Sequence, residues 1–277
     1  YSILGPEQDS KEAFQLSQAL QNAEIAARRT MVLQKSGAAS KDEITKRRKE
    51  NAGHLEQCAD LLLKLNRTEA AEKVYLLALG LRILTNDFSA EGNENLAGVL
   101  VKLGNYYRQR KNFPDAEKKY QEAVKALSNS RSPTSTLYGD ALSHLGSLYA
   151  QDLKKPAEGE RLLNEALNYL ITVPLSENST TGTLEELGQL YSIQSRFKEA
   201  VEASKRKLHF ANALMERTSV AATGLDKWNA EDYTYAFIVY VRTVLELAND
   251  YKEAGDPRNE ATTYALLLND QLDVSGV

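Results

Sequence analysis

"KLGNYYRQRKNFPDAEKKYQEAV", residues 102–124, sets a Leu-Gly pair before two tyrosines and then spaces Ala116, Tyr120 and Ala123 at intervals of four and three. Such intervals place side chains on one face of a helix. Small residues on that face let two antiparallel helices approach closely, whereas larger ones hold the backbones apart. Gly104 and Ala116 are therefore expected at a close crossing within one helical hairpin. Tyr107 and Tyr120 are expected where that hairpin meets the next. Pro114 falls just ahead of the second helix, where a missing N–H breaks no hydrogen bond.

The pattern recurs. "LGNYY" at 103–107 returns as "LGSLY" at 145–149 and "LGQLY" at 187–191, so Gly104, Gly146 and Gly188 stand 42 residues apart, twice in succession. Gly159, Leu163 and Ala166 follow Gly146, and a weaker Ala200 and Ala203 follow Gly188. An earlier unit without the glycine reads Ala59, Leu62, Ala71, Tyr75 and Ala78, and a later one reads Leu247, Ala248, Tyr251, Ala261 and Ala265. Degenerate outer units are usual in a stacked array, because terminal repeats have one uncovered side. Pro156 and Pro257 open second helices as Pro114 does, while Pro133 and Pro174 mark polar loops between units.

These motifs resemble the tetratricopeptide repeat family, whose units pair Leu-Gly-x-x-Tyr with a later Ala-x-x-x-aromatic-x-x-Ala. The resemblance covers residues 52–268, and the 42-residue period is similar to that of kinesin light chains and related bacterial proteins. It implies an all-α fold, an α-solenoid with a right-handed superhelix of about five antiparallel helix pairs and capping helices. The units are expected at about 52–94, 95–136, 137–178, 179–229 and 230–268, after an N-terminal cap at 1–51 and before a tail at 269–277. The family's initial tryptophan is missing from each unit, and about twenty extra residues precede the fifth.

In that family the first helices of successive units line a concave surface that binds peptides or partner helices. The slot after the packing residue holds Asp60, Asn105, Ser147, Gln189 and Asn249, all able to hydrogen-bond. A ladder of this kind suits an extended chain, whose backbone donors and acceptors need partners. Lys64, Gln109, Gln151 and Glu185 occupy neighbouring slots and complete the expected groove, flanked by Glu56, Val101 and Ser143. Family members that clamp a C-terminal carboxylate need a lysine four residues before the asparagine. Here Val101 stands before Asn105, so that clamp is not expected.

Composition limits the alternatives. The chain has 277 residues, 42% of them hydrophobic and 26% charged, as in an ordinary folded protein. A net charge of −4 opposes nucleic acid, and no apolar run reaches the eighteen or so residues of a membrane span. The single Cys58 excludes an internal disulfide and favours a cytoplasmic over an exported setting. His54, His144 and His209 are scattered on separate helices, so no metal set, catalytic triad or cofactor is expected, and no enzyme. The basic run Lys46 to Lys49 lies among acidic residues on a helix and reads as a solvated face.

Residues 9–34 carry apolar groups at 13, 16, 20, 23, 27 and 31, a stripe that predicts a long amphipathic helix serving as a cap or as a dimerisation helix. Ser40 and Glu43 form a capping-box pattern opening the next helix. A helix over 197–217 and a loop over 218–233, containing the lone Trp228, complete the reading. The expected function is a non-catalytic scaffold or adaptor holding a protein or peptide partner. The competing readings are a subunit built permanently into a larger complex, and binding at the Trp228 loop instead of the groove.

Overall fold

The computed structural model describes residues 6–37, 39–128, 135–223 and 230–274. Several helices begin on residues suited to a helix start. Ser40 N-caps α2 (Lys41–Lys64), its hydroxyl accepting the Glu43 N–H at 3.1 Å, and Ser89 caps α4 (Ala90–Gln109) by accepting the Gly92 N–H at 3.0 Å. Pro156 sits in the first turn of α7 (Pro156–Leu170), and α11 (Pro257–Val274) begins on its proline.

The remaining helices are α1 (Pro6–Ser36), α3 (Thr68–Thr85), α5 (Phe113–Ser128), α6 (Leu137–Ser147), α8 (Glu177–Ile193), α9 (Phe197–Thr223) and α10 (Ala230–Glu253). No strand occurs among the described residues. The architecture is all-α and of the solenoid class, with the helices paired in sequence as antiparallel hairpins: α2 with α3, α4 with α5, α6 with α7, α8 with α9 and α10 with α11.

Each hairpin turns on a residue in the left-handed region. Asn66, Lys111, Lys154, Ser195 and Gly255 have φ between 56° and 74°. The N–H just beyond reaches back to a carbonyl near the helix end, as Asn112 does to Tyr107 and Arg196 to Tyr191, at 2.9 and 2.8 Å. These are Schellman-type caps, and four of the five use a side-chain-bearing residue where glycine is ordinarily preferred.

The chain divides into two compact units, Tyr1–Ser132 and Pro133–Val277. In the first, α1 packs along α2, the α2–α3 hairpin meets α4 through α3, and α4–α5 completes the unit. Burial of α1 follows Ala19, Ala23 and Thr30, with Leu16, Ala26 and Leu33 partly covered. The stripe is thus rotated from the one expected, because α2 offers small residues, with Cys58 buried against Ala19 and Ala23. Leu20, Ala27 and Met31 remain exposed.

In the second unit α7 and α6 pack on α8, and α9 packs on α10, around a cluster of Leu163, Leu167, Leu184, Leu187 and Leu190. α6 runs on into a π-helical turn at Leu148–Asp152. That turn takes up one extra residue, which is why Gly159 lies thirteen residues after Gly146 while Ala116 lies twelve after Gly104.

Three expectations are corrected here. Tyr120 does not face the next hairpin: its ring lies over Gly104 of its own hairpin, where an added Cβ would come within 2.6 Å of Tyr120 Cδ1. Tyr107 does reach a neighbour, donating its hydroxyl to Glu72 of α3 at 3.0 Å. In α11 the buried residue is Thr263, while Ala261 is exposed and Ala265 half-buried, because the last helix has a partner on one side only among the described residues. The extra residues before the fifth unit go into helix rather than loop: α9 has 27 residues and reaches Thr223, and α10 starts at Ala230. Trp228 lies outside the described residues.

Candidate functional site

The slot after each packing residue is where the groove was expected, and the two units treat it differently. In the first unit the slots are already engaged. Asp60 accepts the Tyr75 hydroxyl and, at 2.7 Å, the Lys102 ammonium. Asn105 accepts the Tyr120 hydroxyl at 2.6 Å. Each tyrosine comes from the second helix of the same hairpin and is fully buried, so the pair acts as a lock between the two helices. Burial, and then the carboxylates of Asp60 and Glu56, push the Tyr75 hydroxyl far above its ordinary pKa. Lys64 and Gln109 are exposed at the ends of α2 and α4. Glu56 is held by Arg82 at 2.8 Å, and Val101 is buried.

In the second unit Ser147 is buried and donates to Glu186 at 2.6 Å, so it presents nothing to a ligand. Gln151 donates to the same carboxylate at 2.6 Å and to Gln189 at 3.3 Å. Ser143 accepts from Thr183 at 3.2 Å.

Glu185, Gln189 and Asn249 come together. They lie around a cleft of about 440 Å³ between α8, α9 and α10, with the amides of Gln189 and Asn249 exposed at its rim. The cleft exists because of what the repeat leaves out. Its wall is Gly188, which corresponds to Gly104, and opposite stands Ser204, where the first two hairpins have Tyr75 and Tyr120. A Cβ on Gly188 would find nothing nearer than 3.9 Å. Leu163 fills the corresponding place in the third hairpin, with Cγ 2.9 Å from an added Gly146 Cβ.

Sequence reasoning missed several residues of the cleft, among them Ser204, Arg242, Glu246 and Asp250, and the buried Lys207 bonded to its glutamates. Lys207 is 1% exposed and donates to Glu185 at 3.1 Å and to Glu246, while Arg242 bonds Glu185 and lies 3.5 Å from Glu246. Asp250 is buried and accepts Ser204 Oγ at 2.6 Å and Ser192 Oγ at 3.5 Å. Burial raises its pKa, against the lowering pull of the serine hydroxyls and of Lys207.

Repeat alignment carried the signal. Lys207 falls where Ala78 and Ala123 stand in other hairpins, and Asp250 where Tyr106, Leu148 and Leu190 stand. A charge at a packing position of a repeat marks a local departure from packing. Among the described residues no group of three or more His, Cys, Asp or Glu side chains could hold a metal ion, and no helix is long and apolar enough to cross a membrane.

Residues 95–172 match the tetratricopeptide repeat model. Among solved structures it is similar to BtubC (BKLC) from P. vanneervenii, with 19% identity over 96% of this chain and 93% of that one, at a TM-score of 0.69. It is also similar to aspartyl phosphate phosphatase F from Bacillus subtilis, with 13% identity over 95% of this chain and 73% of that one, at a TM-score of 0.54. A putative kinesin light chain of nearly identical TPR-like repeats from Podosopora anserina matches 70% of this chain with 95% of its own, at 14% identity and a TM-score of 0.46. These likenesses concern the fold. No curated protein sequence matches the chain.

Proposed function

We propose that the protein is a non-catalytic interaction scaffold and that it holds an extended segment of a partner protein in the cleft between α8, α9 and α10. The observation that carries this reading is the pair of exposed amides, Gln189 and Asn249, at the rim of a cleft from which the repeat's large side chain is missing. A primary amide offers both a donor and an acceptor, the complement of an unpaired peptide unit. Each such bond contributes about 0.5–1.5 kcal/mol net. Asp60 and Asn105 fit this role less well, since their own tyrosines occupy them.

The test is a captured partner measured against two variants. Gln189→Ala with Asn249→Ala is expected to weaken binding by roughly ten- to a hundred-fold with the melting temperature kept, since both side chains are exposed. Normal binding by that double variant, with loss in Trp228→Ala, would move the site to the segment around Trp228.

One observation favours the second reading, a subunit built into a larger assembly. On α3 and the turn after it, Leu76, Leu77, Ile83, Leu84 and Phe88 are exposed, beside a hollow of about 610 Å³ lined in part by Leu79, Leu96 and Leu100. An obligate subunit exposes such a face when isolated. Self-association or precipitation of the purified chain, relieved by Leu77→Lys and Leu84→Lys, supports that reading; a freely soluble monomer speaks against it.

A further inference from the structure

Asp250 is 8% exposed, yet it lies at the cleft's edge and no cation bonds to it among the described residues. The groups around it come from three helices. Ser192 and Glu185 face it from α8, Ser204 and Lys207 from α9, and Arg242 and Glu246 precede it on α10. Both cations are already committed to the two glutamates. The group therefore holds three carboxylates against two bases, and the carboxylate left over is the most deeply buried one. Two serine hydroxyls satisfy its lone pairs but cannot cancel its charge, and a buried charge without a counter-charge is costly.

The space beside it suits a long side chain. Gly188 and Ser204 leave open the volume that a tyrosine ring takes in the second hairpin, and Leu245, 45% exposed, offers an apolar wall for an alkyl stem. We propose that this cleft receives a lysine or arginine side chain of the bound partner segment, its ammonium or guanidinium head paired with the Asp250 carboxylate and its stem lying over Gly188. The inference rests on the cleft being the segment-binding site and names what that segment must carry. The raised pKa of Asp250 agrees with it: an entering cation opposes the effect of burial, so binding weakens as the pH falls through that raised value.

The probes are acetylated and amidated pentapeptides Gly-Ser-X-Ser-Gly with X lysine, arginine or norleucine, and the free diamine cadaverine. They are titrated at millimolar concentration into the full chain while the side-chain amide resonances of Gln189 and Asn249 are followed. The lysine and arginine peptides are expected to bind at least tenfold more tightly than the norleucine peptide, and Asp250→Asn is expected to erase that preference without unfolding the chain. Stronger binding by the peptides than by cadaverine assigns the site to a partner side chain; cadaverine binding as tightly overturns that assignment in favour of a free amine. Equal binding of lysine and norleucine peptides, no shift with any basic probe, or a preference that survives Asp250→Asn each overturns the proposal. The double variant of Gln189 and Asn249 separates the two readings. It weakens all peptides alike if the segment reading holds, whereas Asp250→Asn acts on the basic ones only.

Discussion

Gly104 and Gly188 stand at the same place in two repeats, and the space beside them is used in opposite ways. Over Gly104 lies the Tyr120 ring, its hydroxyl tied to Asn105 at 2.6 Å. Over Gly188 the chain places Ser204, whose hydroxyl turns away to Asp250 of the following hairpin at 2.6 Å. Both glycines sit in the same Leu-Gly-x-x-Tyr setting, with a left-handed turn seven residues on, at Lys111 and at Ser195. The motif thus fixes how two helices cross, and the residue opposite the glycine decides whether the crossing is sealed or left open. An open cleft can arise in a repeat array by removing one side chain from an otherwise kept pattern.

The largest effect that could break this comparison is at Gly104. Gly104→Leu forces a branched side chain into the volume of the Tyr120 ring, and overpacking of this kind costs about 3 kcal/mol. Urea denaturation followed by circular dichroism measures it, and an unchanged midpoint would show that the ring and the glycine are not in contact. Tyr120→Phe keeps the ring and removes only the hydroxyl. It leaves Asn105 half-buried and unpaired by its tyrosine, an expected loss of about 1 kcal/mol. A midpoint equal to that of the parent would mean that the bond to Tyr120 contributes nothing to stability and that water satisfies Asn105 equally well.

Gly188→Ala sharpens the comparison from the other side, since its sign is expected to be opposite. The added methyl meets only ordinary contacts at 3.9 Å, and alanine favours a helix interior by up to about 1 kcal/mol over glycine. The variant is expected to be slightly more stable than the parent. Destabilisation comparable to that of Gly104→Leu would mean that the cleft is closed in solution.

The hairpins were legible because backbone contact needs small residues at fixed intervals, and that requirement writes itself into the chain as Gly104, Gly146 and Gly188. Pro114, Pro156 and Ser40 were legible for the same local reason. Which way a large residue faced was not. Tyr120 could satisfy its hydroxyl across its own hairpin or the next, and only the packing of α4 on α5 shows which. The candidate cleft was legible only in part. Glu185, Gln189 and Asn249 follow from the slot beside the packing residue, whereas Lys207 and Asp250 look like surface charges until they are placed in repeat register. Their burial depends on α9 and α10 packing against each other. The extra residues that lengthen α9 and α10 looked like loop because an insertion carries no period of its own.

The smallest effect is a difference of differences at Asp250. Burial holds its folded-state pKa above the ordinary carboxylate value, so the native state keeps a proton that the unfolded chain gives up. The native state is therefore favoured most when Asp250 is protonated and loses that advantage as pH rises from the unfolded-state pKa, about 3.9, through the raised folded one. Asparagine does not titrate. Asp250→Asn should accordingly gain on the parent as pH rises, being more stable relative to it near pH 7 than near pH 4, by about the ionisation penalty that burial imposes. Urea midpoints for both proteins at the two pH values measure it. A gap that stays constant would show Asp250 to be compensated by Lys207 already, leaving the cleft without a charge to offer. A gap that widens with pH, and closes when the lysine peptide is present at saturation, would tie the buried carboxylate, the open repeat and the bound base into one site.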